Sequence, residues 1–288
     1  MTGRREFLFF LCALCALCAL CALCALCVFA RNFYRRQTIN TSDFLFPSEF
    51  PGRESSIHYV QEVFSTMDIA RNLARQGCPH FTVVIAERQT AGRGRLKRIW
   101  LSEQGGLYFT LVLRPEIHPN QGYKLNFAAS LCLARTLNRL FGINAQVKWP
   151  NDILVNEKKI TGMLSEIELE DRRISFVNIG IGVNVNNDPT PDEPKASSLK
   201  NILGRAVPRK ELLSEFLNAY EDYLHQGNFD SVISEWKKYT LTLGRQVKIV
   251  TTREVSEGYA QDVDDEGALI LKLADGSLKK VLYGDCFH

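Results

Sequence analysis

Apolar residues recur at helical spacing from about residue 123 to residue 141, and β-rich runs lie on both sides of this stretch. The apolar positions that share one helical face are Leu125, Ala129, Cys132, Leu133, Leu137 and Leu140. The runs predicted as strands are 81–86, 106–113, 146–148, 153–155, 160–169 and 174–185. A chain that mixes a long helix with several strands joined by short connections is expected to fold as an α+β domain.

Three further helices are predicted, and short β-rich runs follow them at the C-terminal end. A helix is predicted over 66–76, since Ser65-Thr66-Met67-Asp68 places a hydroxyl three residues before an acid. A helical pair is predicted over 209–226 and 230–239. Beyond Thr242, short β-rich runs recur about every ten residues with glycine-containing turns between them. That pattern predicts a small antiparallel barrel.

The length and composition limit the classes of protein to consider. A chain of 288 residues is long enough for one sizeable domain and a small second one. We expect an apolar repeat and a linker over 1–56, a catalytic domain over 57–240 and a barrel over 241–288. The net charge of +3 argues against an affinity of the whole protein for nucleic acid.

The cysteines fall into two groups. Six of the nine belong to a Cys-Ala-Leu repeat within residues 7–30, and the others are Cys78, Cys132 and Cys286. These three are isolated from one another and from any zinc-type pattern, so free thiols in a reducing compartment are expected and a metal site is not.

The repeat makes residues 7–30 an uncharged apolar run. Roughly 24 residues are enough for a helix that crosses a hydrocarbon core of ~30 Å. More basic residues follow this run than precede it, which favours a cytoplasmic location for the main domain. A perfect tripeptide repeat is also what an expanded nine-nucleotide repeat or a start codon placed too far upstream would give. A single membrane anchor, with membrane contact through 7–30, and an extension without function therefore both stay open.

A loop rich in glycine and arginine follows the predicted strand at 81–86. The segment Gly92-Arg93-Gly94-Arg95-Leu96-Lys97-Arg98 holds several cations within a few residues. Glycine lets the backbone approach a ligand closely, and guanidinium and backbone N–H groups neutralise phosphate or carboxylate. The segment matches neither a Walker loop nor a dinucleotide fingerprint. A solvated basic turn and an RNA-contacting patch stay open on this loop alone.

Two more segments carry unusual combinations of residues. Lys148-Trp149-Pro150-Asn151-Asp152 joins a cation, a large aromatic and polar turn residues, and Lys159 opens the strand that continues into Thr161-Gly162. Gly180-Ile181-Gly182-Val183-Asn184-Val185-Asn186 is a strand with glycines alternating on one face. Glycine within a strand indicates a closely packed ligand or backbone, or a bulge. Taken singly, the lysines also fit surface charges and Trp149 also fits a core residue.

Together these segments resemble the biotin–protein ligase family in identity, order and spacing. The resemblance covers about 57–286. It is carried by Ser65-Thr66-Met67-Asp68, Gln89-Thr90-Ala91-Gly92-Arg93-Gly94-Arg95, Trp100, Gly106-Leu107-Tyr108, Lys148-Trp149-Pro150-Asn151-Asp152, Lys159-Ile160-Thr161-Gly162 and Gly180-Ile181-Gly182-Val183-Asn184. It implies a catalytic domain similar to class II aminoacyl-tRNA synthetases, followed by an SH3-like barrel. It also implies a biotin–acetyl-CoA-carboxylase ligase, which uses ATP to form biotinyl-5'-AMP and transfers biotin to a lysine of a carrier domain.

The resemblance also implies roles for individual residues. The implied biotin-binding residues are Ser65, Thr66, Met67, Gln89, Arg93, Gly94, Arg95 and Lys159. The implied nucleotide-binding residues are Arg93, Arg95, Trp100, Lys148, Asn151 and Asn184, with Trp100 packing over the adenine. Arg95, Lys159 and Lys148 are expected to act in catalysis, and Asp152 is our candidate for assisting the carrier amine. Mg²⁺ is expected to arrive on ATP and not at a protein metal site.

Two positions depart from the family pattern. Many members have asparagine in place of Met67, so a side-chain amide contact there is lost. Many also have glycine in place of Lys97, and we expect the lysine to stiffen the loop. Only 26 residues separate the apolar run from the catalytic domain, too few for the winged-helix domain of members that repress transcription, so we expect the monofunctional type.

Other functions stay open on the sequence. The expected partner is a biotin carboxyl carrier protein or the carrier domain of a carboxylase, and a homodimer is neither indicated nor excluded. A lipoate–protein ligase is the nearest rival. A nucleic-acid-binding protein that uses the patch 93–98 leaves 148–152 unexplained, and intact Arg93, Arg95 and Lys159 argue against a membrane-tethered scaffold without activity.

Overall fold

The computed structural model describes residues 45–227 and 229–288, and within these ranges the strands form two sheets. The strands are β1 (Ile57–Val63), β2 (Thr82–Gln89), β3 (Leu107–Leu113), β4 (Ala145–Lys148), β5 (Asp152–Val155), β6 (Lys158–Glu170), β7 (Arg173–Val183), β8 (Gln246–Val250), β9 (Val255–Val263), β10 (Leu269–Lys272), β11 (Leu278–Val281) and β12 (Asp285–Phe287). The helices are α1 (Thr66–Arg75), α2 (Tyr123–Phe141), α3 (Leu199–Leu203), α4 (Arg209–His225) and α5 (Val232–Lys237). The α+β fold class is confirmed.

The large sheet has the strand order β1-β2-β3-β7-β6-β5-β4 and is covered on both faces. Only the β1–β2 pair among its described neighbours is parallel. Successive side chains of a strand point to opposite faces, so Val83 and Ile85 join the large core while Val84 joins a smaller one with Ala70. Helix α1 therefore packs on one face, and α2 and α4 pack on the other.

The predicted elements in the middle of the chain are confirmed. Helix α2 spans the predicted 123–141, because its long apolar face is buried against the sheet. No pattern in the sequence predicted β1, α3 or β12. Strand β1 lies at an edge with mostly half-exposed residues, and β12 has three residues, so neither shows an apolar run.

The core reaches upstream of the predicted start at Ile57. Leu45 and Phe50 flank a short 3-10 helix, Pro47–Glu49, and both are buried in the large core. Full burial of side chains this large contributes roughly 1.5–3 kcal/mol each. Residues 45–56 are therefore held against the core instead of forming a free linker.

The second sheet lies in the C-terminal part, with the strand order β11-β10-β9-β8-β12. Its strands pair antiparallel, as predicted. Within residues 45–227 and 229–288, none of the helices combines the length and the apolar character that a membrane span needs. The run at 7–30 lies outside the described residues.

Candidate active site

A cavity of about 710 Å³ opens beside the start of α1 and the glycine-bearing strands β6 and β7. Its walls also include the end of β2, the loop 92–100, the segments 148–152, 154–158 and 189–196, and β12. Every residue predicted for the site lies on its wall: Ser65, Thr66, Met67, Gln89, Arg93, Gly94, Arg95, Trp100, Lys148, Asn151, Asp152, Lys159 and Asn184. The fold thus brings together segments that are distant in sequence.

The start of α1 offers an unpaired hydroxyl to this cavity. Ser65 is the N-cap residue, but its side chain makes no capping bond, so the predicted capping pair with Asp68 is wrong in its hydrogen bonding. The N–H of Thr66 instead donates to Gln89 Oε1 at 2.8 Å, and Asp68 accepts from Arg93. Ser65 Oγ is buried and has no hydrogen-bond partner among the residues that the structure describes. It is therefore ready to bond a ligand.

Gln89 is held by a chain of hydrogen bonds that includes Ser102, a residue that the sequence did not indicate. Gln89 Nε2 donates to Ser102 Oγ at 2.9 Å, and Ser102 Oγ donates to the carbonyl of Trp100 at 3.1 Å. Gly92 lies against this chain, since a Cβ there would come within 2.4 Å of the Trp100 carbonyl oxygen. The network fixes the Gln89 amide and anchors both ends of the cationic loop.

The three arginines of the loop are each held by a different neighbour. Arg93 Nη2 donates to Asp68 Oδ1 at 2.8 Å, and Arg95 Nη1 donates to Asn151 Oδ1 at 3.0 Å. Arg98 forms an ion pair of 2.6 Å with Asp285. All of these acceptors are side chains that an anionic ligand could replace.

Two lysines of the predicted site reach the cavity from neighbouring elements. Lys159 Nζ lies 2.8 Å from Asp152 Oδ1, in a pair that joins β5 and β6. Lys148 Nζ lies 5.9 Å from the centre of the Phe287 ring. Burial lowers the pKa of Arg95, while the negative charges of Asp285 and Asp152 act in the opposite direction. Guanidinium stays protonated in proteins, so the cavity holds fixed positive charge.

The alternating glycines form a floor on which two large side chains rest. A Cβ on Gly182 would lie 2.3 Å from Trp100 Nε1, and one on Gly162 would lie 2.8 Å from the same indole. A Cβ on Gly180 would lie 2.7 Å from the sulfur of Met67. The glycine pattern predicted a ligand or a backbone close by, or a bulge; the structure places the side chains of Trp100 and Met67 there. The indole N–H of Trp100 is buried and finds no acceptor within the described ranges.

Asn184 closes the far side of the cavity. Its backbone N–H donates to Ile160 O at 2.8 Å, and its Oδ1 accepts from Asn187 Nδ2 at 3.0 Å. Asp152 of the cavity is paired with Lys159, and the described residues contain no group of three or more metal-ligating side chains. Residues 45–227 and 229–288 thus form no metal cage of their own.

The sequence matches two protein families and several known proteins. Residues 59–186 match the biotin/lipoate A/B protein ligase family, and residues 242–288 match the biotin protein ligase C-terminal domain. The bifunctional ligase/repressor BirA of Bacillus subtilis is 37% identical over 236 residues, which are 79% of this chain and 72% of that protein. The chain belongs to the biotin protein ligase family.

Relatives and solved structures agree with this membership. The biotin–acetyl-CoA-carboxylase ligase of Paracoccus denitrificans is 34% identical over 66% of this chain and 83% of its own length. The biotin protein ligase of Aquifex aeolicus, solved in complex with biotin and ATP, superposes with a TM-score of 0.67 at 30% identity, covering 81% of this chain and 97% of that one. The chain therefore has the family's catalytic fold and its small C-terminal β domain.

The structure shows what surrounds Met67 and Lys97. The thioether of Met67 packs on Gly180. Lys97 has φ of 61° and Leu96 has φ of 51°, in the left-handed region that glycine adopts without cost. The backbone of Lys97 is therefore held in a conformation that a lysine disfavours.

Proposed function

We propose that this protein is an ATP-dependent biotin–protein ligase, which forms biotinyl-5'-AMP and then biotinylates a lysine of a carrier domain. The proposal depends most on one observation: the cavity collects Arg93, Arg95, Lys148 and Lys159 beside a glycine floor covered by apolar side chains. Joining two anions and holding a vitamin with an apolar ring system requires both of these surfaces. This chain matches both family domains, and a relative 34% identical to it is named for this activity.

We assign the polar rim of α1 and β2 to the head group of biotin. Ser65 Oγ is buried without a partner among the described residues, and Thr66 and Gln89 are fixed by their mutual hydrogen bonds. Such prearranged donors and acceptors suit the ureido group, which both donates and accepts hydrogen bonds. Arg93, Gly94 and Arg95 form the adjacent wall, and Met67 supplies apolar contact.

The first reaction joins the vitamin to the nucleotide. The biotin carboxylate attacks the α-phosphorus of ATP, a P–O bond forms, and the bond to the bridging oxygen breaks with release of pyrophosphate. Both reactants are anionic, so fixed positive charge from Arg95, Lys148 and Lys159 lowers the barrier. The amine of Lys159 lies 2.8 Å from Asp152 Oδ1. The incoming carboxylate or phosphate competes with Asp152 for this amine.

We assign the nucleotide to the side of the cavity formed by Trp100, Asn151 and Asn184. Trp100 rests on the glycine floor with Lys159 Nζ 5.3 Å from its ring, and stacking on adenine requires the indole to turn toward the nucleotide. Mg²⁺ neutralises phosphate charge when it is bound to ATP. Since the described residues form no metal cage, ATP itself is the expected carrier of the ion.

The second reaction transfers the biotinyl group. The neutral amine of a carrier lysine attacks the acyl carbon of the adenylate, an amide bond forms, and AMP leaves. The amine must lose a proton, and we assign its acceptance to Asp152, whose carboxylate is freed when Lys159 turns to the adenylate. The expected partner is the carrier domain of a biotin-dependent carboxylase. In this scheme the catalytic domain is 57–240, and 241–288 is an SH3-like accessory barrel.

Mass spectrometry of a carrier domain tests the proposal. We expect the full-length protein, given biotin and ATP, to add the mass of one biotinyl group to the carrier. Carrier with its target lysine replaced by arginine is the matched control and should stay unmodified. Lipoate in place of biotin separates the two branches of the family. Modification by lipoate but not by biotin would overturn the proposal, as would no modification at all.

A further inference from the structure

The segment 148–152 carries one large side chain that does not serve the cavity directly. Lys148, Asn151 and Asp152 contact other cavity residues, whereas the indole of Trp149 is only 1% exposed and reaches into the C-terminal sheet. Trp149 Nε1 donates to Gly267 O at 3.0 Å, and Trp149 N donates to Thr242 Oγ1 at 3.0 Å. Trp149 is thus bonded through its side chain to the turn before β10 and through its backbone to Thr242, which precedes β8.

Gly267 is held rigidly at the other end of this bond. It lies in the turn between β9 and β10 with φ of 77°, and a Cβ there would come within 2.8 Å of the Phe127 ring and 3.0 Å of the Tyr123 ring. The hydroxyl of Tyr123 donates to the carbonyl of Asp265 in the same turn. The turn is therefore wedged between Trp149 and helix α2.

The sheet anchored in this way also touches the cavity. Strand β12 pairs with β8, and its Asp285 forms the 2.6 Å ion pair with Arg98 of the cationic loop. Phe287 of the same strand lies beside Lys148, with 5.9 Å between the amine and the ring centre. The position of the C-terminal sheet thus decides where two groups lie at the mouth of the cavity.

We infer that Trp149 is a positioning residue: its bond to Gly267 fixes the C-terminal sheet so that β12 and the adjacent Lys148 complete the nucleotide side of the cavity. This inference rests on the proposed ligase function. Trp149 itself touches no reacting group, and it acts through Lys148, Asp285 and Phe287. The competing interpretation is that Trp149 only fills the core.

Trp236 provides a matched control for that interpretation. Its indole is also fully buried, and Nε1 donates to Ser130 Oγ at 3.1 Å, a bond within the catalytic domain. Changing either tryptophan to phenylalanine removes one buried N–H donor and a similar volume. Only Trp149→Phe breaks a bond to the C-terminal sheet.

The test uses biotin-dependent exchange of pyrophosphate into ATP by the full-length protein. We expect Trp149→Phe to raise the KM for ATP about fivefold, the size typical of one lost hydrogen bond, with kcat and the KM for biotin within about twofold of the unchanged protein. Trp236→Phe should leave the KM for ATP within about twofold, whatever it does to the melting temperature. Equal ATP KM values in the two variants would overturn the inference, as would an equal rise in the KM for biotin.

A second variant tests the inference even if Trp149→Phe does not fold. Thr242→Val keeps the shape of the side chain and removes the acceptor for the Trp149 backbone N–H. We expect the same selective rise in the KM for ATP, and its absence would also count against the inference. If the unchanged protein shows no biotin-dependent exchange, the proposed function fails. Normal exchange with an unchanged ATP KM in all variants would overturn only the role of Trp149.

Discussion

The cationic loop 92–100 and the segment 148–152 face each other across the cavity but are held in different ways. Loop contacts are mainly pairs between side chains, such as Arg93 with Asp68 and Arg98 with Asp285. The segment 148–152 is fixed by backbone pairing of β4 and β5 and by the buried bonds of Trp149. Arg95 and Asn151 connect the two regions at 3.0 Å.

This difference indicates which wall is formed in advance and which is expected to move. A bond between a loop cation and a protein carboxylate can be exchanged for one with a ligand anion at little cost, since the cation stays paired. A buried tryptophan with both N–H groups bonded has no such alternative. We therefore expect ligand binding to rearrange the loop around a fixed 148–152 segment.

The largest effect is expected at Arg95 and Lys159, the cations that contact the segment 148–152. Lys159→Ala or Arg95→Ala should lower adenylate formation or retention at least about tenfold, because charge-assisted contacts contribute roughly 1.5–3 kcal/mol. Isothermal titration with biotin and then ATP, followed by measurement of retained adenylate, checks this. Lys210→Ala, which removes an exposed pair with Glu49, is the control and should behave as the unchanged protein. Adenylate retention unaffected in both site variants would refute the assignment.

The glycine floor should discriminate between two alanine substitutions. Gly182→Ala places a methyl group 2.3 Å from the rigid indole of Trp100, whereas Gly180→Ala meets the flexible end of Met67 at 2.7 Å. Overpacking of this kind costs about 1–3 kcal/mol, so we expect Gly182→Ala, which displaces the indole assigned to the nucleotide, to raise the KM for ATP about tenfold and Gly180→Ala clearly less. Biotin-dependent exchange of pyrophosphate into ATP measures both. Equal increases would show that the indole is not fixed on this floor.

The backbone of the loop provides a smaller test. Lys97 has φ of 61°, so Lys97→Gly should raise the free energy of unfolding by about 1 kcal/mol. Urea titration measures the change, and Lys97→Ala is the control, since it removes the charge but keeps the unfavourable backbone conformation. A gain in Lys97→Ala equal to that in Lys97→Gly would assign the effect to charge.

The smallest effect concerns pH. Burial, reinforced by the cations Lys148 and Arg245, lowers the pKa of His288 to about 4. The unfolded chain, with a histidine pKa of about 6.5, binds more protons between these values, so stability falls as the pH decreases from about 6.5 toward 4. The side chain is largely exposed, and we expect less than about 1 kcal/mol from it.

Urea titrations at several pH values between about 4 and 7 check this effect. His288→Gln should make the decrease in stability shallower. If the variant and the unchanged protein follow the same curve, the neutral imidazole contributes nothing.

Motifs predicted which residues meet at the cavity better than they predicted how those residues are held there. Arg95, Lys159 and Asn184 come together because β3, β7 and β6 are neighbours in the sheet although β3 is distant from the other two in sequence. Ser102 and Asp285 escaped notice, since a single serine or aspartate in a short segment has no periodicity or motif to mark it. The Ser65 side chain does not cap the helix: the Asp68 N–H donates to the Ser65 carbonyl oxygen, and the Asp68 carboxylate accepts from Arg93, which is distant in sequence.

Release of pyrophosphate from ATP by the full-length protein tests the central claim most directly. A cavity that uses fixed cations to join biotin to AMP predicts release that depends on biotin, is not supported by lipoate, and falls sharply in Lys159→Ala. No release with biotin present would contradict that claim, and so would release at the same rate when biotin is omitted.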